Sequence, residues 1–502
     1  MKPTVRPPFP RERVGARARI VEIVLEVIEG PHCGKTFTFD AHDNFIVGRA
    51  RCAHFRLPKR DPYFSRVHFM IEVNPPYCYL MDMGSTNGTR VNGERVQAAY
   101  LGDGDLIQGG DTVLRVSLVG QPEEAVGELL CRPPPLPLQP EPSPVEAPSD
   151  ESEPPVVGGA RPEPPVAPPP EMAVPPPAAP PGASQRPRSA ADDPRFEVTQ
   201  SFQGVTPEVP VKPPTVVPLA AEDKPAVPGY QILGMLGSGG MGVVYLARRL
   251  SDGEQVAVKT ISLATSAPHR DTQRFLREAN ILRQLRHPHI VGFHETDRLA
   301  ELLYFVMDYV PGTDAATLLT CEGPLPIARA VRLVCQTLDG LHYAHAQGFV
   351  HRDVKPANLL VTQHQGRETC RLADFGLARA YQASAMSGIT ILGDTGGTIP
   401  FMPPEQITHY REATPAADQY SAAATLYRLL TGQHLFDFGK LPPHQRLKKI
   451  LFDEPKPIRR HRRDVPDALA QAIHRALLKE PTARFPDAAA FREGLMPFGT
   501  GI

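Results

Sequence analysis

The stretch "LGSGGMGVVYLA", residues 236–247, sets Gly237, Gly239 and Gly242 at G-x-G-x-x-G spacing. Glycine lets backbone approach an anion closely, so the spacing suits a loop over phosphates. A Rossmann dinucleotide loop shares it but opens a helix, whereas "VVYLARR" and "GEQVAVKTI" read as two strands joined by a hairpin turn. That context favours a flexible flap over nucleotide phosphates. Lys259 ends "VAVK" on the second strand, and Glu278 lies in the helical run "QRFLREANIL". Paired, the two would point the ammonium at the α and β phosphates, although each singly also fits a surface charge. Further polar clusters follow in "VHRDVKPANLL" (350–360), "LADFGLAR" (372–379) and "GGTIPFMPPEQ" (396–406). Near the other end, "DMGSTNGTRVNG" (82–93) carries two Asn-Gly pairs. Asn-Gly favours tight turns with positive φ, and both a pair of hairpin turns and a docking loop fit that chemistry.

The elements that must carry these residues divide the chain in three. From about 20 to 119, short alternating runs such as "RIVEIVLEVI", "NFIVGR", "RVHFMIEV" and "TVLRVSLV" between Gly, Pro, Asn and Asp turns predict an all-β sandwich. A basic, proline-rich tail (1–19) precedes it. Residues 120–229 hold 31 of the 58 prolines, so they cannot bury a core and are expected to form a disordered, polyproline-like tether that leaves the flanking domains largely independent. From 230 to 497 the apolar spacing becomes helical after a strand-rich start, which predicts a separate α+β domain. Seven scattered cysteines with no C-x-x-C spacing suit free thiols in a reducing, cytoplasmic compartment. A net charge of −1 argues against a bulk pull toward nucleic acid or membrane, and no run of about 18 uncharged apolar residues predicts a membrane span.

Taken together, the motifs from about 230 to 495 resemble those of the protein kinases, in their bacterial Ser/Thr branch, which implies a bilobal fold. The resemblance implies ATP with Mg²⁺, or alternatively Mn²⁺, as cofactors. Phosphoryl transfer needs in-line positioning and charge neutralisation more than covalent help. Asp353 would accept or orient the substrate hydroxyl, Asn358 and Asp374 would supply hard oxygen ligands to the metal, and Lys355 would contact the γ-phosphate. Leu236, Val244, Ala257 and Leu360 would line the adenine slot, with Met307 as gatekeeper and Asp308 to Val310 as hinge. Asp418 would brace the catalytic loop, Glu405 and Arg484 would anchor the activation segment, and Thr398 would help hold the catalytic loop. Pro403, where the family has alanine, removes a backbone donor near the substrate platform. Arg352 offers a cation for a phosphorylated activation loop bearing Ser384, Ser387, Thr390 and Thr395. A scaffold that keeps the fold without the reaction is the competing expectation; the four chemical positions, Lys259, Asp353, Asn358 and Asp374, are intact.

In the β region the order "FIVGR", "SRVH", "GSTNGT" resembles the forkhead-associated domain, which implies a reader of phosphothreonine peptides. Arg49 would fork onto the phosphate, Ser65 and Thr86 would offer hydroxyls, Arg66 a second charge, and Asn87 a grip on the peptide main chain. Gly48 and His68 would shape the loops. Expected partners are therefore protein substrates with Ser or Thr and phosphothreonine peptides, among them the chain's own activation loop or Thr199 in the tether, with Thr206 the weaker candidate. No metal beyond that of the nucleotide is expected.

Overall fold

Strict alternation builds the first region. On β1 (Glu22–Glu29), Ile23, Leu25 and Val27 are buried while Glu22, Val24 and Glu26 face outward. The computed structural model describes residues 22–58, 63–75, 77–119, 216–219, 224–239, 242–262, 282–299, 302–364, 367–375, 398–409 and 412–500. Ten further strands follow β1: β2 (Thr36–Phe39), β3 (Asp43–Gly48), β4 (Phe55–Arg56), β5 (Phe69–Asn74), β6 (Tyr77–Asp82), β7 (Thr89–Val91), β8 (Glu94–Val96), β9 (Ala98–Tyr100), β10 (Leu106–Gly109) and β11 (Thr112–Val119). They form two sheets, β2-β1-β11-β10-β7-β8 and β4-β3-β5-β6-β9. Phe45, Val47, Phe55, Phe69, Ile71, Leu80, Ile107, Leu114 and Val116 share the core between them. This is the expected β sandwich.

Strands β3 and β5 depart from alternation, because nearly every residue on them is buried. A sheet buried on one face leaves its alternate residues to water, so a strand buried on both faces must have a second partner. Here that partner is the C-terminal domain. Ile46, Met70 and Met81, on the face turned away from the sandwich core, together with Val67 and Met83, belong to one apolar cluster with the interior of the second domain.

The C-terminal domain begins with the sheet β12-β13-β14-β16-β15, built from β12 (Tyr230–Gly239), β13 (Gly242–Arg249), β14 (Gln255–Ser262), β15 (Phe293–Leu299) and β16 (Leu302–Asp308). A smaller sheet holds β17 (Gly312–Asp314), β18 (Leu359–His364) and β19 (Arg367–Leu372). The helical part contains α1 (Ala315–Glu322), α2 (Ile327–Ala346), α3 (Pro404–Thr408), α4 (Pro415–Thr431), α5 (Pro443–Phe452), α6 (Asp467–Ala476) and α7 (Ala488–Leu495). Helix α4 is buried along almost its whole length, and Gly432 ends it in the left-handed conformation, its N–H donating to Arg428 O at 2.8 Å. No helix among the described residues is long and apolar enough to cross a membrane.

Two expectations are corrected. The end of the segment assigned to the tether is built into the small lobe: Val217 and Met235 exchange both backbone hydrogen bonds at 2.9 Å, and Val227 is buried beside Ile232 and Val258. Nor are the two domains independent. Asn44 Nδ2 of β3 donates to Ile407 O of α3 at 3.0 Å, the His54 and His409 rings meet at 5.0 Å, and Lys448 Nζ of α5 donates to Gly84 O at 3.3 Å. The rest of the tether, with Thr199 and Thr206, and the N-terminal tail lie outside the described residues.

Candidate functional site

The catalytic loop joins α2 to β18, and its shape depends on one buried carboxylate. Asp418 on α4 accepts from the backbone N–H groups of His351 at 2.8 Å and Arg352 at 2.7 Å, and its Oδ2 lies 2.7 Å from His345 Nε2. Burial pushes the Asp418 carboxyl up, but His345, His351 and the Arg352 N–H outweigh it and the net shift is downward. These bonds hold Arg352 at φ +67°, a left-handed conformation that costs a non-glycine residue roughly 1–2 kcal/mol. The twist delivers Asp353 to the site. Its Oδ1 accepts from Thr398 Oγ1 at 3.1 Å, and its Oδ2 accepts from Asn358 Nδ2 at 3.1 Å and lies 3.0 Å from Lys355 Nζ. Lys355 in turn donates to Thr398 Oγ1 at 2.8 Å. Four of the expected residues therefore form one network around a single carboxylate.

Opposite stands Asp374, also at positive φ (+62°), whose Oδ2 accepts from Lys259 Nζ at 2.8 Å. Burial raises the Asp374 carboxyl, and the Lys259 charge and hydrogen bond overcome that and hold it low, so the group is an anion. The next side chain, Phe375, is buried and lines a cavity together with Asp374, Leu282, Leu285, Phe293 and Met307, with the His351 ring against it at 4.5 Å. Burying Phe375 locks the direction in which Asp374 points. Glu278, the expected partner of Lys259, lies outside the described residues, as do Ser384, Ser387, Thr390 and Thr395. Arg352 is buried, with Nη2 donating to Ala413 O at 3.4 Å and its carbonyl accepting from Gln406 Nε2 at 2.9 Å.

A slot of apolar residues lies under the small lobe. Ala257 pairs with Met307 across β14 and β16, and Leu236, Val244 and Leu360 pack partly exposed on the same core as these two and Val310. The N–H of Asp308 donates to Gly292 O and its carboxylate accepts from the Gly292 N–H and Arg371. Its carboxyl is held low by the hydrogen bond from His294, with smaller help from Gly292 and Arg371. Of the three loop glycines, Gly242 is the sterically demanded one: φ is +135° and an added Cβ would stand 1.9 Å from Thr260 O. Glu405 and Arg484 form the expected bidentate pair at 2.6 and 2.8 Å, with Arg484 buried. Pro403 sits at the cap of α3, where its carbonyl accepts from the Gln406 N–H and its missing donor is not required.

At the other site three loops of the sandwich meet. The Arg49 N–H donates to Ser65 O at 3.2 Å, Ser65 Oγ accepts from the Thr86 N–H at 3.0 Å and lies 3.4 Å from Thr86 Oγ1. Asn87 Nδ2 donates to Tyr63 O at 3.0 Å. Thr86, Asn87 and Arg66 are exposed. Buried His68 accepts from the Ser65 N–H and bridges to Gly88 O, while a Cβ at Gly48 would lie 2.4 Å from Arg66 O. Backbone and side-chain bonds thus bring the loops that carry Arg49, Ser65, Thr86 and Asn87 together, with Arg66 on the loop between β4 and β5 beside Ser65. What sequence reasoning missed is the contact of the sandwich with the C-terminal domain, made by Asn44 and His54 on one side and Ile407, His409, Lys448 and Phe452 on the other. Only the unbroken apolar runs of β3 and β5 carried a signal of it.

The donor set of Asn358 and Asp374, two hard oxygen ligands beside a lysine, fits a divalent cation that keeps waters and shares phosphate oxygens. Among the described residues no cluster of three or more His, Cys, Asp or Glu could hold a metal alone.

Comparison with known proteins identifies the family of the C-terminal domain. Residues 230–493, more than half of the chain, match the protein kinase domain model, and the chain belongs to that family, whose members use a nucleotide and a divalent metal. Residues 45–110 match the FHA domain. The chain is 36% identical over 272 residues to the serine/threonine-protein kinase PknF of Mycobacterium tuberculosis, covering 53% of this chain and 56% of that protein. It is 37% identical over 213 residues to the serine/threonine-protein kinase pkn2 of Myxococcus xanthus, covering 42% of this chain and 25% of that one. A crystal structure of the M. tuberculosis PknI kinase domain, a double mutant, aligns with a TM-score of 0.45 at 28% identity, over 56% of this chain and all of its own. The chain thus spans a quarter to just over half the length of these curated relatives.

Proposed function

We propose that the chain is a protein serine/threonine kinase, transferring the γ-phosphate of ATP to Ser or Thr hydroxyls of proteins, with a phosphothreonine reader on the same chain. The observation that carries the reading is the Asp353 carboxylate held between Thr398, Asn358 and Lys355, opposite the Lys259–Asp374 pair. Asn358 and Asp374 are the residues that would hold Mg²⁺, which when bound neutralises phosphate charge. Asp353 orients the incoming hydroxyl and takes up its proton. Lys355, already bonded to Thr398 and Asp353, places a cation on the same side of the site, and Lys259 places another from the small lobe. Leu236, Val244, Ala257 and Leu360 offer apolar faces for a base, with backbone groups of Asp308 and Val310 at its edge. Arg49, Arg66, Ser65 and Thr86 supply the charge-assisted donors of a phosphate site, and Asn87 a main-chain grip. The described cysteines are all free, which suits a reducing cytoplasm.

The test is transfer of label from Mg-ATP by the purified full chain and by Asp353→Asn. Robust transfer by the wild type and a loss of at least about a thousandfold in the variant is expected. No transfer by the wild type would make the chain a phosphopeptide adaptor on a kinase scaffold, and equal transfer by both would remove Asp353 from the chemistry.

A further inference from the structure

The reader does not meet the kinase domain at random: each of its three rim loops touches the large lobe. The loop after β3, which begins with Arg49, sets its His54 ring against His409 at 5.0 Å. The loop before β5 lays the Arg66 guanidinium over the Phe452 ring of α5 at 4.2 Å. The loop after β6 has its Gly84 carbonyl, two residues before Thr86, bonded by Lys448 Nζ one turn earlier on α5. Gly84 sits at φ +68°, so this bond holds a turn whose backbone is conformationally permissive. One helix of the kinase domain therefore restrains two of the three loops that carry the phosphate-facing groups.

We infer that α5 is part of the phosphothreonine site, with Phe452 and Lys448 acting as positioning residues for Arg66 and for the Thr86–Asn87 turn. The inference rests on the reader assignment made above. A planar guanidinium can stack its face on a ring and still present its N–H edge to an anion. An exposed arginine otherwise loses rotamer freedom when it grips a phosphate, and the ring removes much of that cost in advance. Linkage makes the effect reciprocal: a phosphopeptide that binds better because the reader is docked must also tighten the docking by the same factor. The ligand class this selects is a phosphothreonine protein segment presented at the helical lobe of this same kinase domain.

The experiment measures affinity of the full chain for a degenerate library of fluorescent phosphothreonine peptides. Phe452→Leu keeps apolar bulk and removes the ring; it is expected to bind about three- to tenfold more weakly, and Phe452→Tyr to bind as wild type. Lys448→Met is expected to weaken binding and Lys448→Arg to restore it. In a cycle with Arg66→Ala, the Phe452→Leu substitution should add no further loss, because its effect passes through Arg66. Wild-type affinity in Phe452→Leu, failure of Phe452→Tyr to rescue, or strict additivity with Arg66→Ala would each overturn the inference. Arg49→Ala separates the two levels. If it binds as wild type, or if the wild type binds no phosphothreonine peptide, the reader assignment itself has failed. If Arg49→Ala loses binding while the α5 variants do not, the reader stands and the role of α5 is wrong.

Discussion

Asp353 and Asp374 show how little of a carboxylate's behaviour belongs to the residue itself. Each is placed by a positive-φ backbone, at Arg352 and at Asp374; Asp353 is held by its near neighbours Lys355 and Asn358 and by Thr398, and Asp374 by Lys259 from the small lobe. Asp374→Asn keeps the shape and removes the anion, so it should fold normally and lose nearly all phosphoryl transfer, and Lys259→Met should do likewise. Autophosphorylation followed by labelled ATP checks both, and wild-type rates in either would refute the assignment. On the rim, Arg49→Ala removes the planar fork and should weaken phosphothreonine-peptide affinity by about tenfold or more in an anisotropy titration, since hydrogen bonds to charged groups contribute about 1.5–3 kcal/mol each.

Helix α3 touches both the loop that carries Asp353 and the sandwich. Its Gln406 bonds the Arg352 carbonyl beside Asp353, its Glu405 pairs with Arg484, and its Ile407 carbonyl takes the Asn44 amide from the sandwich. Met70 on β5 is buried against the kinase side, so Met70→Asp would bury an unpaired charge at that contact. The variant is expected to release the reader while leaving the sandwich core intact, seen as faster hydrogen exchange in α3 and α5 with unchanged exchange in β1 and β11. His54 makes the same contact sensitive to acid. Its Nδ1 accepts from the Ile46 N–H at 2.9 Å, and its pKa is lowered by burial and then by His409, against smaller opposing effects of Asp43 and Glu412. A histidine held neutral contributes fully above its ordinary value near 6.5, and its contribution falls as pH drops below that. Docking should therefore loosen between neutral and mildly acid pH, and His54→Gln should flatten that dependence.

At the scale of the whole molecule, two further buried histidines give stability an acid dependence of the same sign, against the opposing raised carboxyl of Asp339. His287 and His434 are both brought down to about 4, mainly by burial, with His289 adding to the first and Arg428 and Arg446 to the second. Between pH 6.5 and 4 the unfolded chain takes up protons that the folded chain refuses, so stability falls across that window. The lowered carboxyl of Asp418 works in the same direction at the acid end. Thermal unfolding followed by circular dichroism should show a midpoint that drops steadily from pH 7 to pH 4.5; a flat profile would contradict the burial of these rings.

Much of this protein was legible before any coordinates. Gly237, Gly239 and Gly242 followed by a strand, Asp353 with Lys355 and Asn358, and the three short signals around Arg49, Ser65 and Thr86 are local patterns, because phosphate contact demands particular residue types at short separations; Lys259 and Asp374, far apart in the chain, were each read from a short motif of their own. The alternation in β1 was equally local, and it announced the sandwich. Tertiary structure alone decided what the second face of β3 and β5 covers, that Val217 joins the small lobe, and that Phe452 and Lys448 reach the reader's rim. Apart from the Val217–Met235 pairing, those contacts join residues hundreds of positions apart, and the same leucine, methionine or phenylalanine serves any apolar neighbour; burial by itself is non-directional and names no partner.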